Sequence, residues 1–317
     1  MHKIAVVIPC YRCSNSILGV LASIPALVAR VYVVDDACPE ETGALAARAG
    51  GDGRVLVIRH EQNKGVGGAV ISGYRAALAE GFDIVVKIDG DGQMDPAHIS
   101  NLVHPILREK ADYTKGNRFY AMNQLKGMPS LRVIGNSFLS FMTKLSSGYW
   151  NVMDPTNGFT AIHRKALATV NLDTVSERFF FESDMLCHLN LAGAVVMDVP
   201  FPARYADEKS NLKIHRIWFP FLRKHLARTM KRFFYSYIVR DFNIGTMEFL
   251  FGSMFLAFGS IFGGYHWVRS GIEGKVATSG TVMLSGMSVI LGIQLLLAAI
   301  IYDVTRVPKI PLQDLIE

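Results

Sequence analysis

The sequence has few cysteines, few charges and no repeats. Four cysteines, Cys10, Cys13, Cys38 and Cys187, in 317 residues are too few and too irregularly spaced for an extracellular disulfide framework, and they point to a reducing compartment. Cys10 and Cys13 form a CxxC pair, but no second Cys/His pair follows at zinc spacing, which argues against a structural zinc or a redox centre. His163, His188, His215, His225 and His266 lack acidic partners at metal spacing. The first apolar run stops at Pro9, too short for a cleaved leader, so the N-terminal domain is expected in the cytosol. Charged residues make up 19% against 50% hydrophobic, which excludes a disordered chain. Without a periodic motif, a solenoid or propeller is excluded as well.

The apolar excess is local. Residues 249–268 and 277–302 are uncharged runs, each long enough to cross roughly 30 Å of hydrocarbon. The short polar link between them makes a hairpin that returns the chain to its starting side. Just upstream, residues 214–242 interleave Arg216, Arg223, Lys224, Arg228, Lys231, Arg232 and Arg240 with Trp218, Phe219, Phe221, Leu222, Leu226, Met230, Phe233 and Phe234, the pattern of a helix lying in an anionic headgroup layer. The net charge of +6 is thereby explained by lipid, and nucleic-acid binding is not expected. Arg306 and Lys309 follow the second run, so the basic side is expected to be cytosolic, with both termini there. The expected domains are 1–213, a globular domain; 214–246, basic juxtamembrane helices; 247–304, two transmembrane helices; and 305–317, a cytosolic tail.

Within the first domain, strands over 3–8, 30–34, 55–58 and 82–88 alternate with helices over 16–29, 42–49 and 70–80, implying a mainly parallel sheet with function at the strand carboxyl ends. After Asp112 the alternation weakens, with helices over 131–145 and 182–192 and a strand over 194–199. Asp89-Gly90-Asp91 closes the fourth strand, and two carboxylates one residue apart can turn toward a single Mg²⁺ or Mn²⁺ shared with a diphosphate. Asp35-Asp36 closes the second strand, suited to a nucleoside or to a helix N-cap. The loop Asn63-Lys64-Gly65-Val66-Gly67-Gly68 is neither a Walker A loop nor a dinucleotide fingerprint, and reads as a turn that starts a helix close to a ligand.

Taken in order, Val7-Ile8-Pro9-Cys10-Tyr11, Val33-Val34-Asp35-Asp36, the glycine loop, Lys87-Ile88-Asp89-Gly90-Asp91-Gly92-Gln93 and Gly116-Asn117-Arg118 resemble family 2 glycosyltransferases of the GT-A fold. The nearest subset is that of dolichol-phosphate mannose synthases and bacterial polyprenyl-phosphate glycosyltransferases. The resemblance implies a Rossmann-like α/β domain followed by interfacial helices and a two-helix hairpin. It implies metal ligation by Asp89, Asp91 and Gln93, and donor contacts from Pro9, Tyr11, Asp35, Asp36, Lys64 and Asp89. Arg118 and Arg132 would face the lipid phosphate, and Arg204, Lys209 or Lys213 would close over the phosphates. Asp154 and Asn157 would line the acceptor side, where Glu182 and Asp184 act as positioning groups or cap a helix. Tyr11-Arg12-Cys13 departs from the family's usual Tyr-Asn-Glu.

The implied reaction is inverting transfer of a sugar from a UDP- or GDP-linked donor to undecaprenyl or dolichyl phosphate. It would be metal-dependent, at the cytosolic leaflet of a membrane such as the bacterial inner membrane. A saccharide or other lipid-linked acceptor, and a non-catalytic membrane scaffold, are the alternatives. A homo-oligomer, of which a tetramer is one form, would let Gly252, Gly259, Gly263 and Gly264 bring helices together.

Overall fold

β-branched runs buried on both faces make the centre of a seven-stranded sheet. β1 (Ile4–Cys10) and β2 (Val28–Asp35) are almost wholly buried, as expected of central parallel strands. The structure, a computed structural model, describes residues 2–49, 53–120, 130–201 and 214–316, without the side chains of 49, 130–134 and 214–218. It divides into two units, residues 1–230 with 307–317, and residues 231–306.

In the first unit, β3 (Val55–Arg59), β4 (Ile84–Lys87), β5 (Tyr113–Asn117), β6 (Thr160–His163) and β7 (Val196–Pro200) complete a sheet of order β3-β2-β1-β4-β6-β5-β7. All neighbours are parallel except β6, which runs antiparallel to both β4 and β5. Alternate residues of β1 face opposite cores. Ala5 and Val7 pack with α3 (Val66–Ala79), α6 (Arg164–Thr169) and α7 (Phe181–Ala192), whereas Ile4, Val6 and Ile8 pack with α1 (Ile17–Ala22), α2 (Thr42–Ala49) and α4 (Ile99–Leu107). Each such aliphatic side chain contributes about 1.5–3 kcal/mol when fully buried, so this two-sided core sets the sheet's register.

The sequence expectations need adjusting in three places. α1 ends at Ala22 rather than near 29, because Pro25 breaks the helix and Val28 already belongs to β2. α3 starts at Val66, four residues before the expected 70. Helix α4 and the short strands β5 and β6 were not foreseen: β5, Tyr-Thr-Lys-Gly-Asn, has neither alternation nor an apolar run, although all five residues are buried. α5 (Ser130–Ser147) lies where a helix was expected.

The last residues also belong to the first unit. Leu312, in the short helix α11 (Leu312–Leu315), is buried in the core that contains Val7 and Tyr113. The Asp112 carboxylate, itself fully buried, accepts N–H bonds from Leu312 (2.8 Å), Gln313 (3.1 Å) and Val195 (2.8 Å).

In the second unit, α8 (Ile214–Phe233, which begins in the first) leads through a π-helical turn to α9 (Ile244–Glu273) and α10 (Ser279–Thr305). Both α9 and α10 are long and apolar enough to cross a membrane, with mean hydropathies of 1.5 and 2.3 over their most apolar windows. An Asn243–Thr246 capping box opens α9 and left-handed Gly274 closes it. Arg232 grips Asp303 with two bonds of 2.7 and 3.0 Å, and the Tyr237 hydroxyl donates to the same carboxylate. Three of the four glycines named for helix approach pack inside the hairpin. A methyl group on Gly252 would meet the backbone of Gly292 and Leu296, and one on Gly259 would meet Ser285 and Val289. Gly263 abuts the Ser285 side chain, and only Gly264 has open space about it.

Candidate active site

Strand order reverses at β1, whose carboxyl end lies between those of β2 and β4, and crevices at such switch points are where open α/β sheets bind ligands. At the end of β1, Tyr11 is 47% exposed and Arg12 holds a left-handed φ of 57°. The Arg12 N–H donates to Cys38 Sγ at 3.1 Å, tying the ends of β1 and β2 together. Ala37 is also left-handed, at φ 52°. Two strained non-glycine residues at adjacent strand ends are the kind of outlier that collects at functional sites.

Asp35 and Asp36 are buried and serve the backbone. Asp35 accepts from the N–H groups of Cys38 and Gly43, both at 2.8 Å. Asp36 accepts from Lys64 and Gly65 N–H at 2.9 and 2.8 Å and pairs with His60 Nδ1 at 2.7 Å. These bonds hold the turns that lead into α2 and α3. Lys64 itself is exposed. The glycine loop packs against protein: a side chain at Gly65, where φ is +90°, or at Gly67 would strike the backbone of 176–177.

The DxD loop is held from below. Ser16 Oγ donates to Gly90 O at 2.7 Å, and Asp91 Oδ1 accepts from Gln93 N–H at 2.9 Å. A side chain at Gly90 would press on the sulfurs of Cys13 and Cys10. Lys87, the last residue of β4 and 1% exposed, donates from Nζ to Asp89 Oδ1 at 2.8 Å and to Glu182 Oε1 at 3.1 Å. Burial alone would lower this lysine's pKa; Asp89 and Glu182 outweigh it and raise the pKa above its ordinary value, keeping the ammonium charged. Because Thr160 of antiparallel β6 sits opposite Lys87, the turn before β6 lies beside the DxD loop. A methyl group on Gly158 would come within 2.4 Å of both Asp89 Oδ2 and Lys87 Nζ.

On the far side of that turn, Arg118 is bidentate to Asp154, with Nε to Oδ2 at 2.7 Å and Nη2 to Oδ1 at 3.0 Å. Asn157 Nδ2 also approaches Asp154 Oδ2, at 3.3 Å. Lys115 is buried and donates to the Asn157 carbonyl; burial lowers its pKa to about 8. Glu182 faces Lys87, whereas Asp184, two residues on, is fully buried and bonded to Arg228 Nη2 at 2.8 Å and to Ser176 N–H at 2.8 Å. Asp184 is therefore an anchor for α8 rather than part of the acceptor wall. Arg204, Lys209 and Lys213 lie outside the described residues, as does the side chain of Arg132.

Sequence reasoning missed Lys87 and Lys115. For Lys87 the signal was present, since a lysine within a strand buried on both faces requires a counter-charge or acceptor; Lys115 lies in β5, whose sequence carries no strand pattern.

The donor set suits a hard cation. Among the described residues no group of three or more His, Cys, Asp or Glu side chains converges as a self-sufficient metal cage. Two carboxylates, with Asp89 Oδ2 accepting no hydrogen bond from any described residue, match instead the Mg²⁺-type arrangement completed by substrate phosphates.

Residues 5–170 match the model of the family described as Glycosyl transferase family 2. The chain belongs to that family, and its sheet is a GT-A fold. Among relatives, it is 35% identical over 154 residues to a UDP-N-acetylglucosamine–dolichyl-phosphate N-acetylglucosaminyltransferase of Methanococcus voltae, covering 49% of this chain and 61% of that protein. It is 30% identical over 202 residues to an undecaprenyl-phosphate mannosyltransferase of Micrococcus luteus, covering 62% and 82%. Among solved structures, glucosyl-3-phosphoglycerate synthase from Mycobacterium tuberculosis, in complex with Mn²⁺, UDP and glucosyl-3-phosphoglycerate, aligns with a TM-score of 0.53 at 21% identity, over 73% of this chain and 80% of that one. Membership makes the protein a glycosyltransferase, and two candidate membrane helices follow the family domain.

Proposed function

We propose that the protein is a membrane-anchored, inverting glycosyltransferase that moves a sugar from a nucleoside-diphosphate donor to polyprenyl phosphate at the cytosolic leaflet. The observation that carries this reading is the joint presence of the DxD loop at the switch point and two helices of membrane-spanning length after it. Relatives that act on dolichyl and undecaprenyl phosphate support the acceptor class.

The chemistry asks little of a general base. A phosphate monoester has a second pKa of about 6, so the acceptor oxygen is already ionised at neutral pH. It attacks the anomeric carbon as the bond from that carbon to the diphosphate oxygen breaks; the electron pair leaves with the nucleoside diphosphate, and configuration inverts. The residues that would hold Mg²⁺ or Mn²⁺ are Asp89, Asp91 and Gln93, and a bound cation supplies charge neutralisation for the diphosphate. Arg118, held in place by Asp154, presents a guanidinium toward the acceptor anion, with Arg132 as the second expected cation. Tyr11 and Pro9 form the rim where a nucleoside would lie. The docking of Leu312 and Gln313 on Asp112 supports cytosolic placement of the C-terminus with the catalytic domain.

The test is incubation of purified protein with Mn²⁺ or Mg²⁺, polyprenyl phosphate and a panel of UDP- and GDP-sugars, following nucleoside diphosphate and glycolipid. Lipid-dependent release with one donor is expected. Transfer to a saccharide with indifference to polyprenyl phosphate would refute the acceptor.

A further inference from the structure

We propose that Lys87 is the positioning residue of the metal carboxylate: a fixed buried cation that holds Asp89 in its ligating rotamer, limits the site's affinity for bare metal, and ties it to Glu182. The inference rests on the donor-site reading above but not on the identity of the acceptor.

The ammonium reaches two carboxylates from two elements, Asp89 in the loop after β4 and Glu182 in the first turn of α7. Its bond to Oδ1 leaves Asp89 one oxygen, Oδ2, over the Cα of Gly158. The carboxylate is therefore held on one side by a charge-assisted bond, and its other oxygen occupies the space that any side chain at position 158 would fill. A site that must engage a cation and a diphosphate together benefits from this preorganisation, since small displacements of positioned groups cost large factors in rate.

Charge gives the arrangement a second consequence. Before Asp91 of the same loop is added, Asp89, Glu182 and Lys87 sum to one negative charge at a place buried enough for Coulombic terms to be strong. Without the ammonium the same place would carry two, and a divalent cation would be drawn in without nucleotide. Lys87 thus biases the site toward cation and nucleoside diphosphate arriving as one complex. The tie to Glu182 places a carboxylate of the acceptor-side helix in the same network, so that Lys87 fixes the distance between donor and acceptor walls.

The direct test is Mn²⁺ binding by electron paramagnetic resonance to the full-length protein in detergent, alone and with UDP or GDP, for wild type, Lys87→Met and Glu182→Gln. Lys87→Met should bind Mn²⁺ alone about tenfold more tightly while kcat falls tenfold or more and donor KM changes little. Glu182→Gln should shift Mn²⁺ affinity the other way, several-fold weaker, and it tests the charge argument even if Lys87→Met does not fold. Opposite shifts in the two variants support the proposal. Unchanged or weakened Mn²⁺ binding in Lys87→Met, or unchanged Mn²⁺ binding in Glu182→Gln, would overturn it, because a lysine that merely fills space alters stability without reversing the sign of metal affinity. Wild type that binds Mn²⁺ with nucleotide yet ignores polyprenyl phosphate would sink the acceptor assignment and leave Lys87 standing.

Discussion

Replacing Asp112 should release the C-terminal tail while sparing the donor site. The carboxylate accepts three backbone N–H bonds, and bonds to a charged group contribute about 1.5–3 kcal/mol each. Two of them hold the tail, so Asp112→Ala removes roughly 3–6 kcal/mol of tail attachment. What remains is the burial of Leu312, about 2 kcal/mol, the Gln313 Nε2 bonds to Ile106 and Ala111 carbonyls at 3.2 and 3.0 Å, about 1 kcal/mol each, and the bonds that the Lys165 ammonium donates to the carbonyls of Gln313 and Ile316, about 1.5–3 kcal/mol each. Ordering each tail residue costs about 1–2 kcal/mol, so over the returning segment 307–316 the cost, on the order of 10–20 kcal/mol, outweighs the remainder and the tail undocks. The third orphan, Val195 N–H at the start of β7, is buried and adds about 1–3 kcal/mol of global destabilisation. Hydrogen exchange read by mass spectrometry should show the amides of Leu312 and Gln313 losing protection in Asp112→Ala, with β1 and β4 protected and nucleotide binding retained. Asp112→Asn keeps one carbonyl acceptor and should fall between. Native protection of both tail amides in Asp112→Ala would refute the reasoning.

Three further predictions concern the walls of the site. Arg228→Ala strands a fully buried Asp184 and should cost about 3–5 kcal/mol in thermal or denaturant unfolding, with Asp184→Asn in the same background restoring part of it; equal stability of the two variants would show the pair to be idle. Burial lowers the pKa of His225 from 6.5 to about 4, so the folded state binds fewer protons than the unfolded one between these values. Stability should be intact above pH 6.5 and fall by roughly 3 kcal/mol toward pH 4, and His225→Gln should flatten that slope. Gly158→Ala pushes a methyl group onto Asp89 and Lys87 and should lower kcat on the order of 100-fold with the fold unchanged by circular dichroism.

The half of the sheet built from β1 to β4 was legible because each strand is an apolar run and each ends in a chemically distinctive turn. The other half was obscure for a physical reason. β5 and β6 are four or five residues long and carry Lys115 and Thr160 inward, so their burial is satisfied by polar contacts rather than by pattern. The same holds within the site. Asp89 and Asp91 stand out by spacing, but the groups that enclose the Lys87–Asp89 pair come from far along the chain, at Gly158 and Glu182, and only the antiparallel placement of β6 brings the first of them near. Asp184 illustrates the opposite error: beside Glu182 in sequence, it points into the protein because successive helical positions one and two apart do not share a face. Asp35 and Asp36 stand out in sequence only as a strand end; their bonds to Gly43, Lys64 and Gly65 depend on loops that the fold brings beside them.

Connectivity also constrains how α9 and α10 can be used. The chain leaves the catalytic unit at 230 and rejoins it at 307, and the returning segment contributes Leu312 to the core and two N–H groups to Asp112. One bilayer crossing would leave those partners on opposite sides of about 30 Å of hydrocarbon; two crossings return them to one side. On the proposed membrane reading, the excess of Lys and Arg in 214–240, and Arg306 and Lys309 after the second helix, would make that side the cytosolic one. Charge pattern and tail docking each favour an even number of crossings on independent physical grounds, and the Asp112 variant separates them. If the docked tail enforces the even number of crossings during insertion, Asp112→Ala should yield a fraction of molecules whose C-terminus is labelled from outside sealed vesicles by a membrane-impermeant reagent. If positive charge alone decides, labelling should stay at the wild-type level while the tail amides still exchange.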